Sequence, residues 1–350
     1  MDSSALSVQE GVSPKPSINP KALRAKAKPQ PSPAEWVAMI RQGDTQALSR
    51  AITLVESSAP RHRALSQEVV DRCLPYSGDS VRIGVTGVPG VGKSTFIESF
   101  GIYLIENTGK RLAVLAIDPT SSISHGSILG DKSRMTRLSA SPRAFVRPSP
   151  AGGSLGGVAR KTREAMILCE AAGHEIVLVE TVGVGQSELT VHSMVDCFLL
   201  LMLAGAGDEM QGIKRGIMEM ADLLTITKVD GENVNAAKVA RQRYLNALHL
   251  FPPTASGWTP PVLLSSAVTG AGIDSVWSEI VRFVEHEGAG GFFDARRSKQ
   301  AKAWFQETIE NRILERFHSQ SGMRERLQFL EERVMRGEIG VRSAVDALFE

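Results

Sequence analysis

Gly87-Val88-Pro89-Gly90-Val91-Gly92-Lys93-Ser94 stands between a short apolar run (81–87) and a segment of helical period (94–107), and this placement limits the fold more than any other feature. The octet fits GxxxxGK[ST], a loop that functions where a strand ends and a helix begins. Its glycines let backbone N–H groups turn inward around phosphate oxygens, and the N-terminus of the next helix adds partial positive charge. In that frame Lys93 reaches the β- and γ-phosphates, the Ser94 hydroxyl binds Mg²⁺ and Thr95 supports the α-phosphate. The flanking sequence supplies the frame. Apolar runs at 81–87, 111–118, 143–148, 175–181, 196–203, 222–228 and 261–267 alternate with helix-length segments at 94–107, 157–172, 232–249 and 272–286. Near-continuous Val/Ile/Leu runs read as strands buried on both faces. Repeated strand–helix units predict an α/β domain over 80–287 with a doubly wound, mostly parallel sheet, the P-loop NTPase architecture.

Thr227-Lys228-Val229-Asp230 follows one of these runs and matches [NT]KxD, which points to guanine. The Asp230 carboxylate can accept from both N1–H and the 2-amino group of guanine, and adenine offers neither donor there. Two hydrogen bonds to a charged group, at about 1.5–3 kcal/mol each, give roughly 10²- to 10⁴-fold discrimination. The Lys228 stem is expected against the base. Ser265-Ser266-Ala267, ending the next run, is placed to offer a backbone N–H to the guanine carbonyl. Magnesium needs hard oxygen ligands near the phosphates. Asp118 ends the run after the P-loop helix, Asp131 lies in the Gly-rich stretch beyond it, and Glu180 precedes Val182-Gly183-Val184-Gly185-Gln186. That last segment has the form of a switch, an acid at a strand tip followed by glycines able to move when γ-phosphate is present. Mg²⁺-dependent hydrolysis of GTP to GDP is the expected reaction, with Lys93, Asp118 and Glu180 as its catalytic residues.

Outside the α/β region the chain changes character. Residues 1–31 are rich in Ser, Pro, Lys and Ala and read as a disordered tail. A transit peptide is the competing reading, but Pro14, Pro16, Pro20, Pro29 and Pro31 spoil the amphipathic helix such peptides need. A capping box, Ser32-Pro33-Ala34-Glu35, opens a helical extension over 32–79. After Gly288-Ala289-Gly290-Gly291 the period is helical again through 292–350, with Trp304, Phe305, Ile309, Ile313, Leu314 and Phe317, then Leu327, Phe329, Leu330 and Val334. Spacing leaves two readings open here, helices that pack on the sheet or a dimerisation arm.

The formal charge of +2 creates no whole-chain field that would recruit nucleic acid or an anionic membrane. The three cysteines, Cys73, Cys169 and Cys197, form no CxxC pair, which suits a reducing compartment. No apolar run approaches 18 residues and no signal-peptide core is present, so a cytoplasmic location is expected, or the mitochondrial matrix in a eukaryote.

One set of segments narrows the reading. DPTSS at 118–122, GSILGDKSRM at 126–135, ETVGVGQSE at 180–188, AGAGDEMQGIKRGI at 204–217 and TKVD resemble the MeaB-type GTPases that chaperone adenosylcobalamin-dependent acyl-CoA mutases such as methylmalonyl-CoA mutase. The resemblance spans about 35–320, and the Pro-rich tail has no counterpart in it. It implies a homodimer built through C-terminal helices and magnesium contacts at Ser94, Asp118, Asp131 and Glu180. It also implies a partner-sensing switch near 207–214, including Asp208, Gln211 and Lys214, and slow hydrolysis that rises when the mutase binds. The DxHxxG signature whose His coordinates cobalt is absent, so the cobalamin is expected to belong to the partner. A transport-system kinase would need a second substrate site, for which the sequence shows no motif. The alternative within this fold is a nickel or cobalt delivery GTPase, whose chemistry needs clustered His/Cys ligands; the seven histidines are scattered. A binding module with a degenerate nucleotide site conflicts with intact Lys93, Ser94 and Asp230.

Overall fold

The computed structural model describes residues 30–117, 135–148, 155–181, 186–204 and 215–349. Residues 1–29 of the expected tail therefore lie outside the described residues, as do Asp118, Asp131, Gly183, Gly185, Asp208, Gln211 and Lys214.

Three helices lead in, α1 (Pro33–Arg41), α2 (Thr45–Glu56) and α3 (Pro60–Cys73). The predicted capping box forms: Glu35 N–H donates to Ser32 Oγ at 3.3 Å and Ser32 N–H to Glu35 Oε2 at 2.7 Å. Asp44 caps α2 through its side chain alone, accepting from Gln46 N–H and Ala47 N–H. Then follow β1 (Val81–Gly87), α4 (Lys93–Thr108), β2 (Leu112–Ile117), α5 (Thr136–Ala140), β3 (Ala144–Pro148), α6 (Leu155–Ala171) and β4 (Ile176–Thr181). The chain continues as α7 (Gln186–His192), β5 (Cys197–Leu203), α8 (Arg215–Met220), β6 (Leu223–Thr227), α9 (Asn233–Leu248), β7 (Val262–Leu264) and α10 (Ile273–Ala289). Every predicted apolar run contains a strand.

The seven strands form one parallel sheet in the order β3-β2-β4-β1-β5-β6-β7. The chain moves from β1 towards β3 and then reverses, so the carboxyl ends of β1 and β4 flank the switch point where α/β sheets bind ligands. Alternate residues serve opposite faces, which is why the runs are apolar throughout. Ile83, Val85, Val114 and Leu178 pack with Phe96, Phe100, Val276 and Phe283 of α4 and α10. Ala113, Leu115, Val177 and Val179 pack with Leu168 of α6 and with Trp36, Ile52 and Val69 of the leading helices. The N-terminal extension thus shares a core with the sheet.

The C-terminal part comprises α11 (Phe292–His318), α12 (Met323–Met335) and α13 (Val341–Phe349). The first half of α11 is clamped to the amino-terminal end of the sheet. Arg297 holds Asp196 through Nε–Oδ1 at 2.8 Å and a second contact at 2.6 Å, and Arg296 holds Asp222 at 2.9 and 3.1 Å. Gln300 donates to the Val195 carbonyl at 2.8 Å, and Arg163 of α6 bridges Glu307 and the Ser193 hydroxyl. Beyond this clamp the helices leave Phe305, Ile309, Ile313, Leu314, Phe329 and Phe349 exposed. Among the described residues no helix is long and apolar enough to cross a membrane.

Candidate nucleotide site

The loop after β1 is shaped by its glycines. A Cβ on Gly87 would sit 2.5 Å from the Leu201 carbonyl oxygen of β5, and Gly90 and Gly92 adopt φ of 79° and 90°. Only glycine holds such angles at low cost. Val91 is buried beneath the loop, with its N–H on the Val88 carbonyl at 3.2 Å, while Pro89 and Gly90 are exposed. Lys93 opens α4, and its Nζ donates to the carbonyls of Gly87 at 2.8 Å and Val88 at 3.4 Å. Burial lowers the Lys93 pKa, and the Glu180 and Glu188 carboxylates oppose that shift. The ammonium is therefore a partly desolvated charge held on the loop's own carbonyls, where it would act more strongly on a phosphate than it would in water. Thr95 is exposed on the same turn.

Glu180 reaches this loop from β4. Ser94 Oγ donates to Glu180 Oε1 at 3.0 Å, which sets two hard oxygen donors side by side at the N-terminus of α4. That donor chemistry fits Mg²⁺. Asp118 and Asp131, the other expected ligands, lie outside the described residues. The switch residues Gly183 and Gly185 fall between β4 and α7, which Gln186 begins, and Asp208, Gln211 and Lys214 fall between β5 and α8.

The base motif assembles at the tips of β6 and β7. Thr227 Oγ1 donates to the Val91 carbonyl at 2.8 Å, and Lys228 Nζ donates to the Gly90 carbonyl at 2.8 Å. Two side chains of the motif thus brace the phosphate loop itself. Lys228 adopts φ +56°, a non-glycine left-handed conformation that turns the chain so that Asp230 faces β7. The Asp230 carboxylate accepts from Ser266 Oγ, and Val229 N–H from the same turn donates to the Ser265 carbonyl at 3.1 Å. Ser265 and Ser266 commit their N–H groups to the Ile226 and Ala271 carbonyls, which leaves the Ala267 N–H as the member of this triplet able to meet a base carbonyl.

Three residues here escaped the sequence reading. Glu188, on α7, is only 2% exposed and acts electrostatically on Lys93. It lies within ETVGVGQSE, but α7 is 7 residues long, too short for a period to show which face is buried. Thr86 and Thr181 are buried at the tips of β1 and β4, and Thr181 Oγ1 donates to Thr86 Oγ1 at 2.9 Å. No spacing rule separates them from strand threonines that merely fill space.

Comparison with known proteins places this geometry in a family. Residues 48–322 match the family described as "Methylmalonyl Co-A mutase-associated GTPase MeaB". The Escherichia coli protein named GTPase ArgK is 48% identical over 281 residues, covering 80% of this chain and 85% of that protein. A Mus musculus protein named "Methylmalonic aciduria type A homolog, mitochondrial" is 44% identical over 319 residues, covering 88% and 77%. A crystal structure titled "LAO/AO transport system kinase" superposes with a TM-score of 0.71 at 39% identity, covering 90% of this chain and 96% of that one. The matched span contains the P-loop, the Glu180 strand and the base motif, and the chain is a GTPase belonging to the MeaB family of methylmalonyl-CoA mutase-associated GTPases.

Proposed function

We propose that this GTPase is the chaperone of an adenosylcobalamin-dependent acyl-CoA mutase, of which methylmalonyl-CoA mutase is the leading candidate, and that GTP hydrolysis gates loading or protection of the mutase cofactor. The observation that carries the reading is the mutase-associated family match over a span that includes the whole nucleotide site. In this reading the nucleotide lies along Gly87–Thr95, with Lys93 stabilising charge on the transferring phosphoryl group. Ser94, Glu180, Asp118 and Asp131 hold Mg²⁺, which neutralises charge on the β- and γ-phosphates when bound. Asp230 accepts from guanine N1–H and the 2-amino group, and Ala267 N–H meets the guanine carbonyl. Gly183, Gly185 and Gln186 form one switch, and Asp208, Gln211 and Lys214 form the one that senses the mutase. Cobalamin stays with the partner.

The same reading makes the exposed residues of α11–α13 a homodimer interface. Phe305, Ile309, Ile313, Leu314, Phe329 and Phe349 are the kind of apolar surface that monomers seldom leave bare.

The test is GTP turnover with and without saturating methylmalonyl-CoA mutase. Turnover should rise with the mutase in the wild type, and Lys214→Ala should lose the rise while keeping its slow basal rate. Absence of both stimulation and stable association with the mutase sinks the chaperone reading. Lys93→Ala should abolish turnover in either condition; wild-type single-turnover hydrolysis in that variant would remove the P-loop assignment.

A further inference from the structure

Adjacent residues of β4 point to opposite faces of the sheet, so fixing one fixes the direction of the next. Glu180 points to the α4 face, where it receives the Ser94 hydroxyl. Thr181 points to the other face, where its hydroxyl meets that of Thr86 at 2.9 Å, both residues being 1% exposed. The backbone pairing explains why this bond matters. β1 and β4 run in register from Val81↔Ile176 to Val85↔Glu180, and the pairing stops there. Beyond that point β1 stays with β5 through Thr86↔Leu200 and Gly87↔Leu201, while β4 stays with β2 through Ile117↔Thr181. The two strands part where the crevice opens, and the hydroxyl bond spans the gap one residue beyond the last backbone pair.

A valine would fill the same space at either position without burying a hydroxyl. Buried hydroxyls are retained where they are bonded, and this pair joins the residue before Gly87 to the residue after Glu180.

We propose that Thr86 and Thr181 are positioning residues for magnesium: their hydroxyl bond fixes the twist of the β4 tip and so holds the Glu180 carboxylate against the P-loop serine. The inference rests on the reading of Glu180 as a magnesium holder. Neither threonine touches nucleotide or metal in it. The bond acts through the strand, and it also sets the point from which the chain departs towards Gly183.

The experiment is binding of a fluorescent, non-hydrolysable GTP analogue across a range of Mg²⁺ concentrations, with a metal-free arm containing a chelator. Thr181→Val should leave metal-free binding at the wild-type level and raise the Mg²⁺ concentration for half-maximal enhancement about 3- to 10-fold, the loss expected from one buried hydrogen bond. Thr86→Val should do the same, and Thr181→Ser, which restores the donor, should return the wild-type curve. An unchanged Mg²⁺ curve in Thr181→Val, when Glu180→Gln does shift it, overturns the positioning role and leaves the metal reading standing. An unchanged curve in Glu180→Gln overturns both. Weakened metal-free binding with lowered melting temperature in Thr181→Val, not rescued by Thr181→Ser, assigns the pair to the core instead.

Discussion

Arg297→Ala tests whether the start of the C-terminal arm is part of the GTPase domain. The Arg297 guanidinium makes two contacts to Asp196, at 2.8 and 2.6 Å, and also donates to the Ser80 carbonyl at 2.7 Å and to the Gly78 carbonyl. The Asp196 side chain is 1% exposed, and after the substitution it keeps, among the described residues, the hydrogen bond from Arg82 N–H at 2.9 Å and the attraction of the Arg82 guanidinium. Removing one partner of a buried pair costs about 3–5 kcal/mol, because the other charge is left without compensation. The guanidinium is itself partly solvated and the Arg82 amide stays, so the lower end, about 3 kcal/mol, is expected. For a domain of this size that lowers the apparent melting temperature by roughly 6–12 °C. The assay is thermal unfolding at fixed, saturating GDP for Arg297→Ala, Asp196→Asn and the double variant. The double variant should lose less than the sum of the singles, since the neutral amide no longer needs the cation. A loss below about 1 kcal/mol, or additive singles, would refute the claim that this ion pair fixes the arm to the sheet.

Asp230→Asn should weaken GTP binding and improve XTP binding, because xanthine presents a carbonyl where guanine has its amine; a competition assay with both nucleotides reads this, and unchanged GTP affinity removes Asp230 from the site. Deleting 309–350 should give a monomer by light scattering that still binds GDP, whereas deleting 292–350 also strips Asp196 and Asp222 of their arginines and should yield little folded protein. A dimeric 309–350 deletion puts the interface elsewhere. His174 is buried with Nδ1 on the Cys169 carbonyl at 2.9 Å, and burial takes its pKa down to about 4 from 6.5. The unfolded chain therefore binds the proton first, so stability is intact above pH 6.5 and falls by up to about 3 kcal/mol as pH drops towards 4. His174→Gln should flatten that slope in urea midpoints taken between pH 7 and pH 4.5, and an unaltered slope assigns the acid sensitivity to other groups.

What the sequence made legible follows from how local each signal is. The seven strands could be read because a sheet covered on both faces needs apolar residues at every position, and no other demand competes within those runs. The P-loop and TKVD were legible because each motif has a fixed short spacing at the end of a strand, which is where the structure places both. What those motifs do not carry is how they touch one another. Thr227 and Lys228 brace Val91 and Gly90 across 136 and 138 positions of chain, a relation no local pattern encodes.

The arm shows the same limit from the other side. The start of α11 after Gly291 could be read from the glycines, but no spacing within the helix marks which of its residues meet the domain. Arg296 and Arg297 look in sequence like any solvated basic pair, and their carboxylates, Asp222 and Asp196, look like ordinary residues at strand starts. They become anchors because each carboxylate already accepts a backbone N–H at a strand start, Phe198 and Arg82 respectively, and needs a cation to be buried there. Trp304 packs on the core shared by the sheet and the leading helices, and the next residue, Phe305, is exposed; beyond it α11 still meets the domain through Glu307 with Arg163 and Glu315 with Arg63, each at 2.8 Å. Spacing within one helix does not say which neighbour it meets, so only the three-dimensional contacts separate the part of α11 clamped to the sheet from the part whose apolar residues stay exposed.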